Sequence, residues 1–245
     1  MRALPAWELL EVWDRGTDQA PAERALALLA GACPEVPQED LAGWSIGRRD
    51  GLLLDLRERT FGPDLVSVAS CPGCGERLET AFRVVDIRVE PPAAGSGPFE
   101  LTADGWTVRF RLPNSLDLAA LTPSASTAGD GRELLLGRCA LAVEHEGRPA
   151  SAAELPEEVV RALAERMEQL DPQADVRIAL GCPACGRRWA SVFDILEFFW
   201  SEIAAWAERT LCEVHLLAAA YGWREPDVLA LSARRRQAYL RLVGG

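Results

Sequence analysis

The sequence predicts an α+β protein that is mostly helical and contains a small β module assembled from two distant pieces. Helical spacing of apolar residues dominates the first and last parts of the chain. Between them lie two Cys-Pro-x-Cys-Gly motifs, which begin at Cys71 and Cys182, and each is flanked by strand-like sequence. Such a motif, here called a knuckle, places two sulfurs on one tight turn. Two strand–knuckle–strand units together predict a split zinc-ribbon-like module.

The N-terminal region, residues 1–64, is predicted to be helical. Apolar residues recur at helical spacing from Trp7 onward, and Pro21 occupies a favourable first position for a second helix. A further helix contains Leu53 and Leu56 on one face, and Gly62 and Pro63 end it.

The split ribbon module is predicted over residues 65–90 and 172–192. A strand over 65–70 enters the first knuckle and a partly alternating stretch over 78–89 leaves it. A strand over 175–180 enters the second knuckle and another over 187–192 leaves it. The glycine after each second cysteine, Gly75 or Gly186, supplies the left-handed residue that the turn requires.

Residues 91–171 read as an insertion between the two halves of the module. Residues 91–98 form a Pro- and Gly-rich linker, and residues 99–112 form a hairpin that turns at Asp104 and Gly105. A short helix over 115–121 precedes a small polar loop over 123–130. One helix is predicted over 133–143. A second helix, which has Pro156 and two acidic residues at its start, is predicted to continue to about residue 170.

The C-terminal region, residues 193–245, is predicted to be helical. A long amphipathic helix starts near Phe193 and ends before Gly222, and Ser232 is a plausible N-cap for the last helix. Large aromatic residues follow one another along this region. They have two interpretations, a buried core or an exposed partner face. The residues are Phe198, Phe199, Trp200, Trp206, Tyr221 and Trp223.

Four cysteines are the predicted metal ligands: Cys71, Cys74, Cys182 and Cys185. Four thiolates in two facing pairs are typical of a closed, structural Zn²⁺ site, whereas catalytic zinc usually has an open position and often a histidine ligand. Both histidines, His145 and His215, lie far from the knuckles in sequence. A redox dithiol is the alternative, but thioredoxin-type motifs occur once, at a helix start. Cys139 or Cys212 could in principle replace one of these four ligands, but both lie in predicted helices, which disfavours this alternative.

Composition restricts the function classes. The chain has 245 residues, a formal net charge of −11 and seven cysteines. Such a charge repels phosphate backbones and disfavours nucleic-acid binding. An odd cysteine count, with four in metal-type pairs, favours a reducing cytoplasm over a disulfide framework. The sequence shows neither a signal-peptide pattern nor an apolar run of membrane-spanning length, so no membrane partner is expected.

No enzyme motif is found in the sequence. The G-x-S-x-G elbow, the P-loop and the Rossmann glycine pattern are all absent. Adjacent acids such as Glu157 and Glu158 fit the first turn of a helix better than a catalytic pair. The sequence therefore predicts a protein that is not an enzyme.

A set of motifs in a fixed order is more specific than the knuckles alone. Besides the knuckles it comprises Ile46-Gly47-x-Arg49-Asp50, Leu56-Arg57-Glu58, Phe61-Gly62, Arg111-Leu112-Pro113, Asp117-Leu118, Asp171-Pro172-Gln173-Ala174-Asp175, His215-Leu216-Leu217-Ala218, Tyr221-Gly222-Trp223, Leu229-x-Leu231-Ser232, and Arg235-Arg236 to Tyr239-Leu240. From about residue 23 to residue 242, the chain resembles the T4-type baseplate hub assembly chaperones of contractile phage tails and phage-tail-like contractile injection systems.

The resemblance implies a non-enzymatic protein that helps the baseplate hub or spike to form and is absent from, or minor in, the finished particle. It implies hub or spike proteins as partners, and the four knuckle cysteines are the only defined site that it transfers. Three alternatives remain open: a baseplate or tail subunit retained in the particle, a zinc-ribbon nucleic-acid-binding regulator, and a metal hydrolase. The net charge disfavours the regulator, and an open metal position would identify the hydrolase.

Overall fold

The computed structural model describes residues 1–90, 97–121 and 128–243. Most of the predicted linker 91–98 and of the predicted loop 123–130 lies outside these residues. None of the helices in the described part of the chain combines the length and the apolar composition that a membrane span requires.

Four helices form the N-terminal part of the fold. Pro21 is the first residue of its helix, as the sequence predicts, and the Ser45 hydroxyl accepts a hydrogen bond from the Arg48 amide at the start of the fourth helix. Gly62, with φ of 93°, ends that helix. The helices are α1 (Ala6–Gly16), α2 (Pro21–Ala32), α3 (Gln38–Gly43) and α4 (Ile46–Phe61).

Two separate antiparallel hairpins carry the knuckles. Strands β1 (Asp64–Ser70) and β2 (Arg77–Arg83) flank the first knuckle, and β7 (Arg177–Gly181) and β8 (Arg188–Val192) flank the second. The strand predicted to continue to residue 89 is wrong after Arg83. A short helix, α5 (Val84–Ile87), follows instead, and its buried residues Val84 and Ile87 join the main core.

The inserted region contains a four-stranded antiparallel sheet in the order β3–β4–β5–β6. The helix predicted over 133–143 is wrong after residue 139, because residues 140–145 pair with β4 as a strand. The elements of this region are β3 (Phe99–Ala103), β4 (Trp106–Phe110), α6 (Ser115–Ala120), α7 (Ala128–Cys139), β5 (Ala140–His145), β6 (Arg148–Pro149), a 3₁₀ turn (Ala152–Glu154), α8 (Glu157–Leu170) and a second 3₁₀ turn (Pro172–Ala174).

The C-terminal part consists of α9 (Ile195–Tyr221), α10 (Glu225–Leu229) and α11 (Ala233–Val243). The Asp194 carboxylate accepts a hydrogen bond from the Glu197 amide and caps α9, and Gly222 in the left-handed conformation ends it. Together with the small antiparallel sheets, these elements confirm the predicted α+β class.

Three apolar clusters stabilise the described residues. The largest joins helices α1–α4 to the first turns of α9, where Phe199 and Ile203 are fully buried. The second lies between the inserted sheet and α8, and the third between α1, α9, α10 and α11. The division into regions 1–64, 65–90 plus 172–192, 91–171 and 193–245 stays a prediction, although the largest cluster draws residues from several of these regions.

Candidate metal centre

The two knuckles have the same local geometry. In the first, the Cys71 amide donates to the Glu76 carbonyl at 2.8 Å, and the Gly75 amide donates to the Cys71 carbonyl at 2.9 Å. The second repeats both bonds, from Cys182 to Arg187 and from Gly186 to Cys182, at 2.8 and 2.9 Å. Gly75 and Gly186 adopt φ of 76° and 75°, the left-handed conformation that the sequence predicts.

The hairpins bring the four predicted cysteines together. All four Sγ atoms lie within 4.8 Å of one another. The sulfurs of Cys71 and Cys185 are 3.6 Å apart, and so are those of Cys74 and Cys182. Four sulfurs about 2.3 Å from a tetrahedral zinc would lie about 3.8 Å from one another. The cluster is therefore compatible with a metal ion.

The knuckle backbone supports negative charge on sulfur. The Gly73 amide donates to the Cys71 sulfur at 3.4 Å. Burial raises the pKa of Cys71, but the amides of Gly73 and Cys74 and the thiols of Cys185 and Cys182 outweigh it and lower the pKa to about 6. The Glu76 amide favours the thiolate of Cys74, yet hydrogen bonds to the sulfurs of Cys182 and Cys185 raise its pKa to about 12.

The two shifts have opposite directions because the sulfurs of Cys71 and Cys74 make hydrogen bonds to those of Cys182 and Cys185. A bound divalent cation would hold its sulfur ligands as thiolates. The first cysteine of each knuckle is buried and the second is exposed. The centre therefore lies at the end of the hairpins and at the protein surface.

The other cysteines and the histidines lie outside this cluster. Cys139 is buried at the end of α7, and Cys212 is exposed on α9. His145 stacks on Trp106 with ring centroids 4.3 Å apart, and His215 is exposed on α9. Among the described residues, four cysteines form the cluster without a histidine.

A second polar cluster, missed by the sequence interpretation, fixes the segment before the second hairpin against the start of α4 and against the segment that follows the first hairpin. The buried Asp171 carboxylate accepts hydrogen bonds from the Gly47 amide at 2.8 Å and the Ser45 hydroxyl at 3.1 Å. Gln173 accepts from the Val89 amide at 2.7 Å and donates to the Ile87 carbonyl at 3.3 Å. The chain leaving the first hairpin is thereby held against the chain entering the second.

Gly47 is required at this junction. A Cβ atom there would collide with the Asp171 carboxylate and the Ala174 amide. The motifs that contain Gly47 and Asp171 were noted separately in the sequence, but no local pattern indicates that they meet. Their contact fixes the segment that leads into β7 against the start of α4. The cysteines lie at the other end of the hairpins, at the knuckles.

The aromatic residues of the C-terminal region are mainly core. Phe199 is fully buried, and Phe198, Trp200, Trp206 and Trp223 are half-buried in the apolar clusters. Tyr221 is exposed by 40% and stacks on Trp223 with ring centroids 4.8 Å apart. The structure therefore supports the core interpretation of this set.

Comparison with known proteins gives one finding. A family model described as "T4 bacteriophage base plate protein" matches residues 8–200, well over half of the chain. The match includes both knuckles and the Asp171 junction and ends within α9, so that α10 and α11 lie beyond it. Searches of curated proteins and of solved structures give no match.

Proposed function

The chain belongs to the family of T4 bacteriophage base plate proteins, and on this premise we propose that it is a non-enzymatic assembly chaperone for the hub or spike of a contractile tail or injection system. Membership in the family gives it a baseplate-related structural or assembly role and implies contact with other baseplate components. The proposal goes further and assigns transient binding to hub or spike subunits in the bacterial cytoplasm. The observation that supports this proposal is the match of the family model to residues 8–200.

We further propose that Cys71, Cys74, Cys182 and Cys185 bind a structural Zn²⁺. The inventory of four thiols, their separations and their pseudo-symmetric knuckles support a closed tetrathiolate site. The ion would fix the two hairpins relative to each other and take no part in a reaction. In this role the metal stabilises the shape of a binding surface, because metal binding and folding of such a module are coupled.

The physical mechanism is competition between interfaces. Hub subunits expose oligomerisation surfaces before they meet, and a reversible cover prevents premature association. A small interface dissociates when a larger subunit–subunit interface replaces it. The net charge of −11 favours solubility and works against nucleic-acid binding, which suits a protein partner.

The test is affinity purification of the tagged full-length chain from its native host, with mass spectrometry of the captured proteins and of purified tail particles. Capture of a hub or spike protein, together with absence of the chain from the particles, is the expected result. Stoichiometric presence in the particles would instead identify a retained structural subunit. Capture of no baseplate component would contradict the proposed function.

Point substitutions suit this test better than truncation before Phe193. Removal of α9 would also remove Phe199 and Ile203 from the main core, and loss of binding would then report unfolding. The zinc assignment has its own measurement. We expect one zinc per chain and, after cobalt substitution, the spectrum of a tetrahedral tetrathiolate. A spectrum with an oxygen or nitrogen ligand would indicate an open site of the hydrolase type.

A further inference from the structure

A groove lies between the two hairpins and the start of α9. Its volume is about 520 Å³, and it is called the hairpin groove below. Residues 66–70, five consecutive residues of β1, form one side. Inward-facing side chains of the other strands, including Phe82, Ile178 and Trp189, form the floor, and Phe193 lies at the α9 end.

The groove is bordered by a free strand edge. The Cys71 amide donates to the Glu76 carbonyl and the Val84 amide donates to the Pro63 carbonyl, so the odd-numbered residues of β1 face β2. The backbone groups of Val66, Val68 and Ser70 therefore point away from β2. Within the part of the chain that the structure describes, β1 has β2 as its only neighbouring strand.

This edge lacks the usual protection against strand pairing. Natural edge strands carry charges, proline or bulges. From Leu65 to Ser70, β1 has none of these, its register with β2 is uninterrupted, and Val66 and Val68 are 55% and 52% exposed. The opposite edge, on β2, differs, because its outward positions include the charged residues Arg77, Glu79 and Arg83. Only one side of this hairpin is thus suited to accept another strand.

The charges at the groove restrict its occupant. The charged residues that border it, Asp194 and Glu197, are both acidic, and neither forms an ion pair with a described residue. They lie where the apolar floor meets the first turn of α9. A segment complementary to this surface is extended, has apolar side chains at alternate positions, and carries a basic residue at the α9 end.

We propose that the hairpin groove binds an extended segment of a baseplate partner, which pairs with the free edge of β1 as an additional strand and places a basic side chain near Asp194 and Glu197. In this mode of recognition the main-chain hydrogen bonds provide affinity and the groove selects side chains. The five edge residues span about 17 Å, enough for a strand of typical length. The identity of the partner rests on the proposed function, whereas the groove itself does not.

The decisive variants are Val68→Pro and Glu79→Pro. These residues are directly opposite each other in the hairpin, and both amides point outward, so neither proline removes a β1–β2 hydrogen bond. Val68→Pro blocks the groove edge, and Glu79→Pro blocks the other edge as a matched control. For the baseplate component captured by the wild-type chain, we expect at least a tenfold loss of affinity in the first variant and little change in the second. Equal affinities would overturn the proposal.

A second experiment uses a defined ligand source, a display library of random heptapeptides selected on the zinc-loaded full-length chain. Selected peptides should alternate apolar residues, contain Lys or Arg, and slow hydrogen exchange of the Val66 and Val68 amides. Glu197→Gln should weaken the preference for the basic residue. No selected peptide, or peptides that protect other amides, would overturn the groove proposal even if Val68→Pro failed to fold.

The outcomes separate this proposal from the proposed function. If peptides bind the groove but the full-length chain captures no baseplate component, the function fails and the groove remains. If a component is captured equally by both proline variants, the function remains and the groove proposal fails. If Val68→Pro abolishes only self-association, the occupant is a second copy of this chain and the proposal is wrong.

Discussion

Two β regions of this molecule are stabilised by different means. In the inserted sheet, β4 buries Trp106, Val108 and Phe110, which pack with residues of α8 such as Leu163. In the hairpins that carry the knuckles, strand residues alternate between exposed and half-buried, and Leu65 is the one fully buried residue of the four strands. The sheet has a hydrophobic core of its own, whereas the hairpins are held by packing at their base and bring four cysteines together at their tips.

The comparison indicates where a bound metal ion would stabilise the fold most. A two-stranded hairpin is marginally stable in water, but several strands packed on a helix stabilise one another. A metal ion supplies energy that a small apolar surface cannot. The predictions below test whether the two regions respond independently, and they run from the largest expected effect to the smallest.

Metal removal should separate the two regions most clearly. Structural zinc binding in small modules contributes on the order of 10 kcal/mol, so chelation or Cys182→Ser should release most of the order in β1, β2, β7 and β8. The inserted sheet should keep its structure. Hydrogen exchange measured by mass spectrometry, with and without chelator, reports both regions in one experiment.

The matched control for this experiment is Cys212→Ser, because Cys212 is exposed on α9 and lies outside the cluster. It should leave the zinc content and the exchange pattern unchanged. Unchanged protection of the hairpins in the metal-free protein would contradict the dependence on metal. Loss of protection in the sheet as well would show that the regions are not independent.

Phe110→Ala should destabilise the inserted sheet and leave the hairpins unaffected. Phe110 is fully buried between the sheet and α8, so its removal leaves a cavity and costs about 3–5 kcal/mol of unfolding free energy. Zinc content should remain that of the wild type. Chemical denaturation followed by circular dichroism, together with metal analysis, measures both quantities.

Val66→Ala is the comparison variant in the hairpins, since Val66 is 55% exposed. Its effect on the free energy of unfolding should be within about 0.5 kcal/mol. A cost for Val66→Ala as large as that for Phe110→Ala would show that the hairpins have a core that the burial of their strands does not reveal.

Asp117→Asn should give a smaller, pH-dependent effect within the inserted region. The Asp117 carboxylate is fully buried and accepts from Arg111 at 2.5 and 2.8 Å and from Arg138 at 2.7 Å. Burial raises its pKa, but these hydrogen bonds and that of the Asn114 amide prevail and lower the pKa to about 2. Loss of the charge-assisted bonds should cost about 2 kcal/mol near pH 7.

The sign of the pH dependence follows from the lowered pKa. The stabilisation by Asp117 is complete above its ordinary pKa, near 4, and is lost as the pH falls toward 2. Unfolding free energies measured between pH 5 and pH 2 should therefore converge for the wild type and Asp117→Asn at the acidic end. A constant difference across this range would exclude the carboxylate as the cause.

The candidate site was largely predictable from the sequence because a knuckle is a local structure. The spacing of two cysteines with Pro and Gly between and after them fixes a turn, and Gly75 and Gly186 adopt the conformation that the motif requires. Two motifs with two cysteines each are sufficient to predict a metal site with four sulfur ligands. That the two knuckles face each other depended on an inference about metal chemistry, and the structure places their sulfurs within reach of one ion.

Errors arose where distant contacts override local preference. Residues 140–143 were predicted to be helical, but β4 is available to pair with them and they form β5. The stretch after Arg83 forms a helical turn because Val84 and Ile87 are buried in the main core. Both the strand β4 and the residues of the main core that surround Val84 and Ile87 include positions far away in the sequence.

By itself the sequence determined the mixed, mainly helical class, most helix starts and ends, and the four clustered cysteines, since caps, periodicity and knuckles act over a few residues. Only the tertiary structure decided that Asp171 accepts hydrogen bonds from Ser45 and Gly47, that most aromatic residues of α9 are buried or half-buried in the apolar clusters, and that one edge of β1 is free among the described strands. These features depend on which surfaces meet. Local periodicity indicates which face of an element is apolar, but it does not specify what packs against that face.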